Sequence, residues 1–223
     1  ADVKALRERS GAGMMDCKSA LDEADGNIDK ALEVLRLKGQ KGVTKREGRT
    51  TSNGLIVARV NGGTGYLIEL ACETDFVAKA PKFVELADKV ADAVAAAGAE
   101  TLEAALAANL DGKSVQDAIN DEAAIMGEKV ELRKVASLKD AAIDAYLHRT
   151  SKDLPPQVGV LVAYSGSDAE TAHDVAVHIA AFAPSVLSRD DIDAEIVATE
   201  RRIAEETARN EGKPEAALPK IVE

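Results

Sequence analysis

The chain has 223 residues, 46% of them apolar and only 3% aromatic, with a formal net charge of −11. That apolar share suits a globular fold whose core is mostly Ala, Val, Leu and Ile, in one large domain or two small ones. The negative balance speaks against a general nucleic-acid binder, which needs a basic face, and suits a protein that meets a specific partner.

The first 38 residues read as three short helices. Val3 and Leu6 give the first an apolar face, and the SGAG stretch, Ser10 to Gly13, breaks it because glycine reaches backbone angles other residues avoid. Met14, Cys17, Leu21 and Ala24 then recur at helical spacing, so the second helix has a buried stripe. Asn27 is placed to cap the third, along which Ile28, Ala31, Leu32 and Leu35 form the apolar stripe. This pattern resembles the small three-helix ubiquitin-associated fold. Residues 36–49, RLKGQKGVTKREGR, carry six basic residues, one acidic residue and three glycines. They read as a solvated, partly mobile linker. The competing reading is a contact with an acidic partner or RNA, against which stands the lack of interleaved aromatics to stack on bases.

The hydrophobic period then changes to two. LIVARV (55–60) and YLIELAC (66–72) flank NGGTG, a hairpin signal. Those glycines join two strands, so they are not a phosphate cradle, which needs a helix N-terminus behind it. Thr74 to Val77, TDFV, fall where the second strand ends and before a helix that Pro81 opens and Gly98 closes. Phe83, Ala87, Val90 and Val94 line the buried face of that helix. Further helices are expected near 101–109 and 114–126, and a strand over 129–136. The same grammar returns: strands over 142–149 and 158–164, then a capping box of Ser167 with Glu170 opening a helix to Phe182. The two passes are offset by roughly ninety residues, a pattern suggesting duplication. A long helix over 193–210 and a short one from Pro214 end the reading.

The expected fold is therefore α+β. A helical head over 1–38 and a basic linker over 39–53 lead into a core of two similar subdomains, 54–140 and 141–223, with antiparallel strands and packed helices. No stretch of about 18 apolar residues is present to cross a membrane. The charged opening ADVKALRERS also lacks the apolar centre of a secretory signal, so the expected location is the cytoplasm. Cys17 and Cys72 are isolated and read as buried thiols in a reducing compartment.

Catalytic and metal motifs are missing from the sequence. His173 and His178 lie five apart, not at the i, i+4 spacing of a helical metal pair, and His148 stands alone. There is no HExxH, GxSxG, Walker lysine or GxGxxG. The expectation is a non-enzyme with no cofactor and no metal. What stands out instead is apolar material in unusual places. Met14 and Met15 follow a glycine turn and point about 100° apart, so one fills the head core and the other faces outward, or both are core. Phe76 either turns inward beneath the next helix or is held out as an interface anchor at a loop tip.

The run VKALRERSGAGMMDCKSALDEADGNIDKALEVLR and the central ETDFVAKAPKF together resemble the elongation factor Ts family, over essentially the whole chain and in order. The resemblance implies a guanine-nucleotide exchange factor of translation elongation that binds the GTPase elongation factor Tu, promotes GDP release and performs no covalent chemistry. By that resemblance Phe76 is a wedge entering the partner's nucleotide domain and disturbing its magnesium and phosphate site. Asp75 holds the wedge, and Thr74 and Val77 shape its turn. Lys4, Arg7, Met14 and Met15 of the head stand at family contact positions, with Met126 and His148 as further ones. No direct nucleic-acid contact and no membrane are implied, and a homodimer is admitted. The competing class is an adaptor whose head docks helical ligands without changing nucleotide exchange. Family members run on past LPKIVE with a further partner-reaching stretch, whose contacts have no counterpart among these residues.

Overall fold

The structure is a computed structural model that describes residues 2–222, without the side chains of residues 40–44. Residues through Ala181 form one compact unit, and those from Phe182 onward a second. The class is α+β, as the two periodicities in the sequence require.

The chain opens with helices α1 (Asp2–Ser10), α2 (Met14–Glu23) and α3 (Ile28–Arg46). Between α1 and α2 the backbone turns at Gly11, whose φ of 72° lies in the left-handed region that glycine enters without steric cost. The Asn27 side chain accepts the Lys30 N–H at 3.0 Å and so caps α3 as expected. Leu6, Cys17, Ala20, Leu21, Ala31 and Leu35 make the small core of the head. Met14 begins the expected stripe of α2 but stays outside this core. It is the first residue of the helix, one turn short of the packed layer.

The linker expectation needs correction over its first half, because α3 continues past Lys38 to Arg46. Two features explain the extra turns. Lys, Arg and Gln are good helix formers, and the helix docks on α7 (Val115–Met126) through Gly39. A Cβ on Gly39 would lie 1.6 Å from the Ala124 carbonyl oxygen, so only glycine permits this approach. Arg36 adds an ion pair to Asp121 of α7 at 2.9 Å.

Strands β1 (Asn53–Asn61) and β2 (Thr64–Cys72) form the expected antiparallel hairpin, in register from Asn53↔Cys72 to Asn61↔Thr64. β5 (Val130–Lys139) pairs antiparallel with β2 and completes a sheet of order β1-β2-β5. Leu55, Val57, Tyr66, Ile68, Leu70, Val130 and Leu132 point from one face into the main core. There they meet Phe83, Leu86, Val90 and Val94 of α5 (Pro81–Ala97) and Val115 and Ile119 of α7. One turn of helix, α4 (Asp75–Ala78), connects β2 to α5. After α6 (Leu102–Ala107) comes a two-residue-per-strand hairpin, β3 (Asn109–Leu110) with β4 (Lys113–Ser114), at the break between the expected helices near 101–109 and 114–126, where no strand is expected from the sequence. Its turn is Asp111-Gly112, with φ of 54° and 86°, the positive pair that an Asp-Gly hairpin turn adopts.

The second hairpin, β6 (Ala142–His148) with β7 (Val158–Tyr164), lies on the other face of the three-stranded sheet. Two glycines set the closeness of that contact. A Cβ on Gly65 of β2 would come within 2.6 Å of Ile143, and one on Gly159 of β7 within 2.6 Å of Ile56. Helix α8 (Ala169–Phe182) follows, burying Ala172 and Ala176. Its cap is Asp168, which accepts the Thr171 N–H at 3.0 Å, and not the expected Ser167, because the helix starts at Ala169. In the second unit, α9 (Ala194–Asn210) is capped by Asp193 and packs against α10 (Leu218–Ile221), where Ala208 and Leu218 are buried.

Candidate functional site

The TDFV stretch occupies the point where β2 leaves the sheet. Thr74 is the N-cap of α4, and its hydroxyl oxygen accepts the Val77 N–H at 3.3 Å. Successive helical residues point about 100° apart, so only part of so short a turn can face the core. Val77 and Ala78 take that direction and are buried. Phe76 points out and keeps 40% of its surface, whereas Phe83, on the next helix, is fully buried. Of the two orientations open to Phe76 in the sequence, the chain adopts the outward one.

The turn is braced from three sides. The Glu128 carboxylate accepts the backbone N–H groups of Glu73 at 3.1 Å and Thr74 at 3.0 Å, and the Thr74 hydroxyl at 2.5 Å. The Glu73 carboxylate in turn accepts the Lys129 N–H at 2.6 Å and both contacts from Arg49 at 3.2 Å. The Glu73 carbonyl accepts the Asn53 side-chain amide at 2.9 Å. Two carboxylates thus cross between the end of β2 and the start of β5. Arg49, from the expected linker, is bound into this crossing. Half-buried Arg46 lies in the same region, and burial pushes its guanidinium below its ordinary value. The second half of the linker is therefore partly tied down, and the side chain of Lys41 lies outside the described residues.

Asp75 is exposed and pairs with Lys79 one turn on, at 3.0 Å. That hydrogen bond and charge hold its carboxyl below the usual range. Cys72 lies beneath the turn, and its thiol donates to the Thr74 carbonyl at 3.3 Å. Burial, followed by the Glu128 charge, pushes the thiol up to about 12.

The head comes to the same place. The Arg7 guanidinium carbon sits 4.1 Å from the centroid of the Phe76 ring, a cation–π contact joining α1 to the turn. Lys4, one turn earlier, is exposed beside Glu8 at 3.8 Å. Met14 and Met15 are 59% and 73% exposed, so both face outward, and Cys17 fills the head core in their place. Met126 is different: it is 2% exposed and packed in the main core, where a Cβ on Gly11 would meet it at 3.5 Å. It offers nothing to a partner while that core is closed. His148 is exposed at the end of β6, with its Nδ1 3.1 Å from the Tyr146 hydroxyl. Tyr146 also stands edge-on to His173, which pairs with Asp144 at 3.2 Å.

Sequence reasoning missed Glu128, Glu73 and Arg49. Glu73 was inside a recognised motif, but its role depends on the pairing of β2 with β5, which no local pattern encodes. The one local signal was Gly127, a helix stop with φ of 77°, which places the next residue where α7 gives way to β5.

Among the described residues no helix is long and apolar enough to cross a membrane, and no three His, Cys, Asp or Glu side chains cluster as metal ligands. The model of the family described as elongation factor TS matches residues 73–223. Curated proteins named elongation factor Ts match the whole chain. That of Paenarthrobacter aurescens is 59% identical, that of Pseudarthrobacter chlorophenolicus 59%, and that of Renibacterium salmoninarum 60%, each with 100% of this chain and 81% of the relative covered. The fold and these likenesses define a translation elongation factor, a protein of the biosynthetic machinery. Within that class, the chain belongs to the elongation factor Ts family, whose members are exchange factors and not catalysts of a covalent reaction.

Proposed function

We propose that this chain binds elongation factor Tu in its GDP-bound form and promotes GDP release by disturbing the partner's magnesium and phosphate site, so that GTP can bind during elongation. The observation that carries the reading is Phe76, held outward on a turn that three chain segments brace. An aromatic prepared in this way loses little freedom on entering a partner's pocket. Asp75 lies beside it on the exposed side of the turn, while Thr74 and Val77 fix the turn from within. Arg7 links the ring to the head, where Lys4, Met14 and Met15 extend the contact surface. In this reading residues 1–38 clamp one helix of the partner, and His148 adds a contact from the second hairpin. All of these elements lie in the unit that runs through Ala181. No nucleic acid is touched, and the work is done in the cytoplasm.

Linkage sets the energetic requirement. A factor that weakens GDP must itself be weakened by GDP to the same degree. A thousandfold faster release needs about 4 kcal/mol off the barrier. One buried aromatic anchor supplies roughly 2 kcal/mol or more, so the wedge needs the head and core as clamps. Release of a fluorescent GDP from elongation factor Tu, followed with and without this chain, tests the proposal. Acceleration is expected. Binding with an unchanged release rate would leave a docking adaptor instead.

A further inference from the structure

The geometry points to Glu128 as the positioning residue of the exchange element: one carboxylate that sets the conformation of the turn presenting Phe76, without itself needing to touch the partner. This rests on the reading of the Phe76 turn given above. Glu128 follows Gly127 at the end of α7, and its side chain reaches to the last residues of β2. Oε2 accepts two consecutive backbone N–H groups, from Glu73 and Thr74. Consecutive amides converging on one anion make a concave site in which a charge-assisted acceptor is held strongly. Oε1 accepts the Thr74 hydroxyl. That hydroxyl has one proton, so spending it on Glu128 leaves its lone pairs aimed at the Val77 N–H, which donates to it.

The result is a relay from Glu128 through the Thr74 hydroxyl to the Val77 amide. It spans Asp75 and Phe76, the two residues at the tip. A helix of one turn has no stability of its own, since its hydrogen bonds barely offset the cost of fixing its backbone. The relay therefore supplies the order that propensity cannot. It also ties the wedge to the three-residue connection between α7 and β5, both of which are anchored in the main core.

The test uses the full chain and two near-isosteric variants. Glu128→Gln replaces one acceptor oxygen with a donor, and Thr74→Val removes the hydroxyl. Each is expected to speed amide hydrogen exchange at Val77 about tenfold in the free protein and to slow GDP release by a similar factor, the equivalent of one lost charge-assisted hydrogen bond. The melting temperature, recorded beside each, checks that the core is intact. In a Phe76→Ala background, Glu128→Gln should alter release less than about twofold, since a positioning residue has nothing left to position. Unchanged protection at Val77 in Glu128→Gln overturns the inference, and so does full additivity with Phe76→Ala, which would make Glu128 a direct contact. If Phe76→Ala slows release but Glu128→Gln does not, the positioning role falls and the wedge stands. If Phe76→Ala leaves release undiminished, the exchange role of the turn falls, and the role of Glu128 with it.

Discussion

Two phenylalanines seven positions apart do opposite work. Phe83 is fully enclosed between the sheet and α7, so Phe83→Ala leaves a cavity and should cost about 3–5 kcal/mol of stability, read as a clear drop in melting temperature. Phe76 keeps part of its surface in solvent and has Arg7 over its ring, a contact worth about 0.5–1 kcal/mol at an exposed site, so truncating it should cost far less stability than truncating Phe83. Cys72 illustrates a different residue-scale effect. Its thiolate is disfavoured first by burial and then by the Glu128 charge, so the thiol stays protonated across the neutral range. At pH 8 a thiol reagent should label native Cys72 far more slowly than unfolded Cys72, and fast native labelling would mean that the floor beneath the turn opens. Glu122 carries a third prediction. Burial, with Glu85 and Asp121 nearby, raises its value, while Lys82 and Lys89 pull it down. The folded value lies above the unfolded one, so the folded chain binds the proton more tightly. The stability from this group is present below the ordinary glutamate range and is lost as pH rises through the raised value. Glu122→Gln should therefore raise the melting temperature at pH 8 and change it little at pH 4.

At the scale of elements, the junction of α3 and α7 governs how the head meets the core. Gly39 lets the helices approach until a Cβ would strike the Ala124 backbone. Gly39→Ala should force them apart and cost about 1–3 kcal/mol, the usual cost of overpacking. Thermal unfolding reads the loss, and an unshifted melting curve would mean that the contact gives way cheaply. This junction also shows where the sequence was legible. Helix stripes, strand alternation and glycine stops depend on neighbours within one or two turns. Hence the β1–β2 hairpin, α5 with its Pro81 start and Gly98 stop, and the Asn27 cap could all be read. The extension of α3 could not, because glycine in a basic run signals a linker locally and becomes a docking point only once α7 lies beside it. The same holds at the site. TDFV was visible as an aromatic beside a charge at a strand end. Its brace, Glu73 with Glu128 and Arg49, joins residues 24 to 55 positions apart and exists only after β5 has paired with β2. Helical spacing puts Met14 and Met15 either one in and one out or both in the core, whereas Cys17 fills the small head core and both methionines stay outside.

At the scale of the molecule, head and sheet are joined at the turn that bears Phe76. Arg7 reaches it from α1, Arg49 from the end of the linker, and Glu128 from the junction of α7 and β5. A partner gripping the head and meeting the turn thus engages one connected framework, which is what pushing on a neighbouring protein's nucleotide site requires. The second hairpin supports that framework from behind, with Gly65 and Gly159 permitting close sheet contact. The most direct test of the whole account is the rate of labelled-GDP release from elongation factor Tu driven by Phe76→Ala, measured beside the wild-type chain with a melting curve for each. The account predicts release slowed by about thirtyfold or more, the equivalent of a lost aromatic anchor of roughly 2 kcal/mol, with a melting temperature close to wild type. Release at the wild-type rate from a folded Phe76→Ala chain would contradict it.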